Sequence, residues 1–391
     1  MIVEPKVRGF ICTTAHPEGL KAAVKEDIDF VREKGAVDAG KNVLVIGASM
    51  GYGLSARIAA AFGGKADTLG VIFDRPPTQS RTASAGWYNT AAFSEFAAKE
   101  GLYHKTVNGD AFSDEVKQKV VDILKADGKI LDCVIYSVAA PRRTLKDGTT
   151  VSSVLKTVDK PFTNKTIDLR TKQISEVTIP PATDEEVANT VKVMGGEDWI
   201  EWMTLLKSEG LLKGDAVTAA FSYIGPDMTH PIYKDGSIGM AKKDLALAAE
   251  KLRRLGLRAF VSVNKALVTQ SSSAIPIVPL YISLLYKVMK ARSTHETTIG
   301  QMQRLFGQKR LHAGAVTDDE AFIRLDDLEM DEPTQSEVKR LWDMAGKAPL
   351  DEIADLKGYD DDFLRLFGFG VKGVDYSADV NVDVKIDGLV E

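Results

Sequence analysis

Cysteine is scarce in this chain: 391 residues include only Cys12 and Cys133. Two cysteines cannot build a disulfide framework, so the sequence fits a reducing compartment and a cytoplasmic protein is expected. Neither charge sign dominates, because the formal net charge is −5. This balance excludes the basic surface that nucleic-acid binding requires, and no nucleic-acid partner is expected. Residues 1–6 contain no charged region followed by an apolar run, so no signal peptide is predicted.

Long hydrophobic runs are also missing. The longest apolar stretch, residues 275–289, contains Pro276, Pro279 and Lys287. It is too short for a bilayer core of about 30 Å, so no stable membrane insertion is expected. A membrane-surface role is disfavoured because the stretch lacks a strongly basic polar face. It is predicted to be a buried helix, which in an enzyme could also wall an apolar substrate channel.

What the chain does contain is a regular alternation of apolar runs and helix-period segments. Such runs, bounded by turn residues, predict buried parallel strands at 43–46, 69–73, 131–137, 216–223 and 258–263. Helical patterns lie between them at 53–62, 90–99 and 114–126. The alternation predicts an α/β fold, a Rossmann-like doubly wound parallel sheet.

The regular pattern lapses after the central strand. We treat residues 1–391 as a single large domain and residues 141–215 as a region inserted within it. An insertion there would overhang the carboxyl ends of the strands, where open α/β sheets bind ligands, which favours a substrate lid. A surface insertion without a role is the open alternative. Extra C-terminal helices are predicted at 299–306 and 334–344, and a strand-like alternation at 380–386.

A strand, a glycine-rich turn and a helix start follow one another at residues 43–54. In this context Gly47 would allow a tight turn, Gly51 would let the backbone approach a pyrophosphate, and Gly53 would let the helix pack closely on the strand. The helix N-terminus would then face the phosphates with free amide groups. The predicted turn comprises Gly47, Ala48, Ser49, Met50, Gly51, Tyr52 and Gly53.

The next predicted strand ends at Phe73 and is followed by Asp74 and Arg75. A carboxylate at this place accepts hydrogen bonds from the adenosine ribose and repels a 2′-phosphate, which favours NADH over NADPH. The neighbouring guanidinium could accommodate that phosphate, so use of NADPH stays open.

Two further segments complete the predicted dinucleotide site. Asp110, with Ala111, is placed to contact the adenine, and Val138 and Ala139 end a strand beneath the nicotinamide ribose. Asp110 could equally be a solvated loop residue, and Val138 a core residue. No metal site is predicted.

Tyr233 and Lys242 are nine positions apart. A tyrosine that passes a proton and a lysine that binds the cofactor ribose form the catalytic pair of the short-chain dehydrogenase/reductase superfamily, usually at closer spacing. On one straight helix nine positions turn through about 900°, which puts the two side chains on opposite faces. The sequence therefore predicts a break at Asp235-Gly236. Ser237 is predicted to cap a helix that carries Lys242, with Tyr233 in the preceding loop.

This pair suits the reduction of an α,β-unsaturated thioester. Hydride addition to the β-carbon leaves charge on the thioester oxygen, and a tyrosine hydroxyl aimed at that oxygen can stabilise the charge and deliver a proton. Tyr223 could also reach the thioester, although a tyrosine closing a strand end is an equally good interpretation. Two alternatives are a carbonyl reductase, for which no serine stands at the usual interval before Tyr233, and a non-catalytic NADH-sensing protein, which would need no proton donor.

Several motifs resemble those of the trans-2-enoyl-CoA reductases, also called FabV-type enoyl-acyl-carrier-protein reductases. The resemblance covers nearly the whole chain, and its most specific parts are the Tyr233 to Lys242 spacing and residues 267–276 (LVTQSSSAIP). The other matching motifs are 7–12 (VRGFIC), 15–17 (AHP), 47–53 (GASMGYG), 86–89 (GWYN), 109–114 (GDAFSD), 136–143 (YSVAAPRR) and 193–199 (VMGGEDW).

The resemblance implies a monomeric bacterial enzyme that uses NADH to saturate the trans-2 double bond of an acyl thioester carried by CoA or acyl-carrier protein in fatty acid synthesis. It implies that Tyr233 is the proton donor, Tyr223 a substrate contact and Lys242 a cofactor contact. By the same resemblance, Asp74 sets the cofactor choice, at a position that glutamate fills in the family. The residues implied to line the nicotinamide are Leu267, Val268 and Thr269.

Overall fold

A computed structural model describes residues 1–9, 11–270 and 272–390. Phe10 and Ser271, which fall within two of the motifs above, lie outside the described residues. The strands are β1 (Val7–Arg8), β2 (Ile11–Cys12), β3 (Asn42–Ile46), β4 (Asp67–Ile72), β5 (Thr106–Asn108), β6 (Leu131–Tyr136), β7 (Arg142–Thr144), β8 (Thr150–Ser152), β9 (Phe162–Asp168), β10 (Gln173–Ile179), β11 (Leu212–Ser222), β12 (Arg258–Val263), β13 (Phe322–Arg324) and β14 (Leu389–Val390).

The helices surround these strands and connect most of them. They are α1 (Pro17–Lys34), α2 (Gly51–Ile58), α3 (Ala85–Lys99), α4 (Asp114–Ala126), α5 (Asp184–Met194), α6 (Glu197–Ser208), α7 (His230–Tyr233), α8 (Ser237–Arg254), α9 (Val278–Ala291), α10 (Thr298–Phe306), α11 (Leu311–Gly314), α12 (Glu332–Met344), α13 (Leu350–Ile353) and α14 (Leu356–Arg365). A π-helical turn, Ala59–Gly63, continues α2, and short 3₁₀ turns lie at Asp227–Thr229 and Ser272–Ala274. None of these helices combines the length and apolarity needed to cross a bilayer, over the part of the chain that the structure describes.

Eight strands form the central sheet in the order β13-β12-β11-β6-β3-β4-β5-β14, and every neighbouring pair is parallel. Starting from β3, the chain builds outward through β4 and β5, then returns to the other side of β3 with β6, β11 and β12. The predicted Rossmann-like sheet is thereby confirmed. The order reverses between β3 and β6, and ligands bind at the carboxyl ends of strands at such a switch point.

Helices cover both faces of the sheet, because the strands bury side chains on both sides. Within β3, Val43 and Val45 join the apolar cluster that contains α1, α2, α3 and α9. Leu44 and Ile46 join the opposite cluster, built from α4, α6 and α8. The buried stretch predicted at 275–289 becomes α9, whose hydrophobic residues lie in the first cluster.

The region predicted as an insertion contains two antiparallel hairpins, β7–β8 and β9–β10, outside the central sheet. The second hairpin packs on α9, and Lys165 Nζ donates a hydrogen bond to the Trp342 carbonyl at 2.8 Å. Helix α6, by contrast, lies in the layer beneath the sheet, with Trp199 and Trp202 fully buried. The lid function of residues 141–215 stays a prediction.

The strand predicted at residues 380–386 is wrong, because no residue of this segment pairs in a sheet. Side chains from α3 bond to it instead: Trp87 Nε1 donates to the Val384 carbonyl at 2.8 Å and the Tyr88 hydroxyl to the Val382 carbonyl at 2.8 Å. Only β14, just beyond, joins the sheet, beside β5. The alternating pattern therefore marks an extended segment held by side chains.

Candidate active site

The main cleft, with a volume of about 1030 Å³, opens at the carboxyl ends of β3, β4, β5, β6 and β12. It lies at the switch point of the sheet, as the fold predicts. Most of the predicted cofactor residues line it: Gly47, Ser49, Met50, Gly51, Phe73, Asp74, Asp110, Ala111, Val138, Ala139, Leu267, Val268 and Thr269. Segments that are far apart in the sequence thus converge on one cavity.

The glycine-rich turn has the geometry that a pyrophosphate needs. Gly47 has a φ of +85°, and a Cβ there would lie 2.1 Å from the Ser137 carbonyl oxygen. A Cβ on Gly53 would lie 1.9 Å from the Gly47 carbonyl oxygen, so only glycine lets α2 approach β3 this closely. Gly51, with a φ of +53°, faces open space at the first residue of α2. No side chain caps this helix, so its first amide groups are available to an anion.

Asp74 is half-buried beside the start of α3. Its Oδ1 accepts a hydrogen bond from the Ser84 hydroxyl at 2.8 Å. The Asp74 amide donates to Asn108 Oδ1, and Asn108 Nδ2 donates to the Asp74 carbonyl. A Cβ on Gly86 would lie 2.4 Å from Asp74 Oδ1, so the carboxylate occupies the space that a larger residue would fill. Burial raises the pKa of Asp74, against the hydrogen bonds and the Arg75 charge that lower it.

The part of the cleft predicted to contact the adenine is fixed by hydrogen bonds that involve its backbone. Asp110 Oδ1 accepts from the Phe112 amide at 3.0 Å, and Trp202 Nε1 donates to the Ala111 carbonyl at 3.0 Å. Phe73 exposes 79% of its surface at the rim of the cleft. An exposed aromatic ring there offers a flat apolar face to a planar base.

Four predicted cofactor residues do not line the cleft: Ala48, Tyr52, Gly53 and Lys242. Ala48 is fully buried, and the Tyr52 hydroxyl donates to the Lys265 carbonyl at 2.5 Å. The side chains of these two residues therefore point away from the cleft or bond to other residues, and only their backbone could contact a cofactor. Gly53 acts through the close packing described above.

Tyr233 and Lys242 lie on separate helices that pack together, so the predicted break is present. Two details differ from the prediction. Tyr233 ends the one-turn helix α7 and does not lie in a loop. Gly236, not Ser237, is the N-cap of α8, because the Ser237 hydroxyl donates to the Val154 carbonyl at 2.6 Å and accepts from the Lys156 amide.

Lys242 is half-buried, and its Nζ lies 3.4 Å from the Phe221 carbonyl oxygen. Burial lowers the pKa of Lys242 to about 8. Its neighbour Lys243 is exposed. Tyr223, Tyr233 and Lys242 do not line the main cleft, and their roles stay predictions.

Tyr233 is 8% exposed and faces Tyr223 edge-on, with ring centroids 4.7 Å apart and an interplanar angle of 88°. Within the described residues its hydroxyl makes no hydrogen bond. Burial raises the pKa of Tyr233 well above its ordinary value, so the phenol is protonated at neutral pH.

Sequence reasoning missed a buried carboxyl group beside this pair. Glu329 is 0% exposed, and its Oε1 accepts hydrogen bonds from the hydroxyls of Tyr223 at 3.0 Å and Tyr281 at 2.6 Å. Its Oε2 accepts from the Ala266 amide at 2.7 Å. Burial raises the pKa of Glu329, whereas the charge of the buried Lys265 and these hydrogen bonds lower it. No local pattern in the sequence signals this role, because the partners come from three distant segments.

The segment predicted to line the nicotinamide is anchored from behind. The Val268 amide donates to the Tyr286 hydroxyl at 3.2 Å, and Thr269 exchanges hydrogen bonds with Ser272. Shortly afterwards Ile277 has a φ of +67°. A β-branched residue in this conformation is strained, and such strain is found preferentially at ligand-binding segments.

Family models match most of the chain. Residues 81–311 match the model of the trans-2-enoyl-CoA reductase catalytic region, and residues 2–79 match the NAD(P)H binding domain of trans-2-enoyl-CoA reductase. Residues 317–380 match a model described as the enoyl reductase FAD binding domain.

The residues of this third segment do not fit a flavin dinucleotide. Its strand, β13, lies at the sheet edge and leads to α12, which begins with Glu332 and Pro333. The Asp331 carboxylate caps that helix through the Thr334 amide, so two carboxylates stand where a pyrophosphate would need free amide groups. Helices α12 and α14 pack their apolar sides against α9. Residues 317–380 therefore lack the features of a flavin-binding segment.

Relatives match the chain over its full length. An enoyl-[acyl-carrier-protein] reductase [NADH] of Flavobacterium johnsoniae is 53% identical, with 100% of each chain covered. A trans-2-enoyl-CoA reductase [NADH] of Ruminiclostridium cellulolyticum is 48% identical, again with 100% of each covered. The crystal structure of Treponema denticola trans-2-enoyl-CoA reductase in complex with NAD superimposes with a TM-score of 0.94 at 44% identity, covering 99% of both chains. This chain belongs to the trans-2-enoyl-CoA reductase family.

Proposed function

We propose that this protein uses NADH to reduce the trans-2 double bond of enoyl thioesters, giving the saturated acyl thioester. The observation that carries the proposal is the main cleft, which joins a pyrophosphate-binding turn at one end to Leu267–Thr269 at the other. Both relatives described above carry NADH in their names and differ in the carrier, acyl-carrier protein or CoA. The substrate class is therefore an acyl thioester.

The residues of the cleft fit a dinucleotide. The open face of Gly51 and the uncapped start of α2 would hold the pyrophosphate. Asp74 would accept hydrogen bonds from the adenosine ribose and repel a 2′-phosphate, which favours NADH. Phe73 and Ala111 would contact the adenine, and Val138 and Leu267 would lie near the nicotinamide.

NADH, when bound, supplies a hydride to the β-carbon of the enoyl group. Tyr233 then stabilises the charge that collects on the thioester oxygen and donates its proton to the enolate. The raised pKa of Tyr233 keeps the proton on the phenol until that charge develops. Lys242 would contact the bound cofactor from helix α8, which packs against the helix that carries Tyr233.

The test is a cofactor assay with the purified protein. NADH is mixed with crotonyl-CoA and, in parallel, with crotonyl-acyl-carrier protein, and the nicotinamide absorbance is followed. We expect NADH oxidation that depends on the enoyl thioester and yields butyryl thioester in equal amount. A control with acetoacetyl-CoA tests the carbonyl reductase alternative. Absence of NADH loss with enoyl thioesters of any of several chain lengths would contradict the proposal.

A further inference from the structure

Glu329 links two parts of the proposed site, the Tyr223 hydroxyl and the Ala266 amide, to helix α9. Tyr223 directly follows β11 and faces Tyr233, Ala266 directly precedes the segment predicted to line the nicotinamide, and Tyr281 belongs to α9. All three donate to the two oxygens of one carboxylate. Loss of this acceptor would let the Tyr223 hydroxyl rotate and would release the loop that begins at Ala266.

The two tyrosines differ in what their hydroxyls can do. The Tyr223 hydroxyl donates to Glu329, so its proton is engaged. The Tyr233 hydroxyl makes no hydrogen bond within the described residues, so its proton is available to a substrate. Because the rings meet edge-on at 4.7 Å, a Tyr223 ring fixed at its hydroxyl also limits the positions open to Tyr233.

We propose that Glu329 is a positioning residue of the reductase: it engages the Tyr223 hydroxyl, holds the Tyr223 ring against Tyr233, and keeps Leu267–Thr269 in register through the Ala266 amide. This inference rests on the function proposed above. It assigns proton donation to Tyr233 alone, whereas the Tyr223 ring restricts the position of Tyr233.

Glu329→Gln tests the inference with little change in shape. The Ala266 amide can only donate, so the new amide oxygen must face it, and the new NH₂ group must face the tyrosines. The loop contact is thereby kept, whereas the Tyr223 hydroxyl is no longer held as a donor. We expect kcat to fall by about tenfold, as is usual for a displaced positioning contact, with KM for NADH unchanged.

Tyr281→Phe is the matched control. It also removes one hydrogen bond to Glu329 Oε1, from a similarly buried tyrosine, but this ring does not face Tyr233. We expect its kcat to stay within about twofold of wild type. An equal loss of kcat in both variants would mean that any change in the hydrogen bonds of Glu329 lowers the rate, and would overturn the inference.

A double-mutant cycle with Tyr223→Phe completes the test. If Glu329 acts through Tyr223, Glu329→Gln should cause no further loss of kcat in the Tyr223→Phe background. Additive losses of kcat would overturn the inference. A Tyr223→Phe variant that is as inactive as Tyr233→Phe would also overturn it, and this comparison can be made even if Glu329→Gln fails to fold. A wild-type chain without turnover would contradict the proposed function and this inference together, whereas additive losses in an active enzyme contradict the inference alone.

Discussion

Two parts of the proposed site are built in different ways. We call the main cleft the cofactor half, and the group of Tyr223, Tyr233, Lys242 and Glu329 the catalytic half. The pyrophosphate turn is made by consecutive residues after β3, and its critical contacts are backbone contacts. The catalytic half is assembled from side chains on separate elements, with Tyr223 and Glu329 106 positions apart. A site made of backbone is encoded locally, whereas a site made of side chains depends on the whole fold.

The surroundings of the two halves differ as well. The cofactor half is an open cleft with an exposed rim residue, Phe73. The catalytic half is closed, and burial shifts the pKa values of Tyr233, Lys242 and Glu329. Substitutions in the first half should therefore change which cofactor binds, and substitutions in the second should change the rate and its pH dependence.

The largest effect should come from Tyr233→Phe. Loss of the hydroxyl proposed to donate the proton should lower kcat by about a hundredfold or more, since general acid catalysis contributes factors of this size. NADH affinity, measured by fluorescence titration, should stay close to wild type because the residue lies outside the main cleft. A variant that keeps full turnover would place the proton donor elsewhere and break the division between the two halves.

A smaller effect should appear in the pH dependence of the reaction. Burial lowers the pKa of Lys242 to about 8, so the ammonium is present below that pH and lost above it. We expect kcat/KM for NADH, which reports the free enzyme, to fall above pH 8 by about tenfold for each pH unit.

Two arginine variants sharpen this prediction. Lys242→Arg should move the decline to higher pH, because a guanidinium stays charged throughout the accessible range. Lys243→Arg, at the exposed neighbouring position, should leave the profile as it is. A wild-type profile that stays flat to pH 9.5 would mean that Lys242 does not control the rate.

The smallest effect should come from Asp74→Ser in the cofactor half. Removal of the carboxylate should raise the ratio of kcat/KM for NADPH to that for NADH by about fivefold, because a 2′-phosphate is no longer repelled. Turnover with saturating NADH should change little. Steady-state assays with both cofactors measure the ratio, and an unchanged ratio would show that Asp74 does not contact the ribose.

The fold was largely predictable from the sequence because its strands are buried on both faces and carry continuous apolar runs. The turn after β3 was predictable because glycine at positions 47 and 53 has few structural explanations apart from close approach. For residues 380–386 the same reasoning predicted a strand that the structure does not contain. Its alternation satisfies the strand pattern, but its carbonyls bond to Trp87 and Tyr88, which a periodicity cannot reveal.

The candidate site was predictable only in part. The spacing of Tyr233 and Lys242 correctly required a break in the helix, since geometry forbids one straight segment. The cap was wrong because Ser237 is engaged by residues 154–156, a tertiary contact. Glu329 escaped notice for a related reason: a single buried glutamate has no sequence signature until its three donors are in place.

The position of β14 bears on how this protein acquires its structure during synthesis. Leu389 and Val390 pair with Thr106 and Val107, and the Gly388 carbonyl accepts from the Thr106 amide at 2.9 Å. The β5 edge of the sheet therefore cannot be completed until residues nearly three hundred positions later have left the ribosome. Such distant pairing forms slowly, so the edge strand β5 stays open while the rest of the chain emerges. A nascent chain would gain the glycine-rich turn after β3 early and complete the β5 edge of the sheet last.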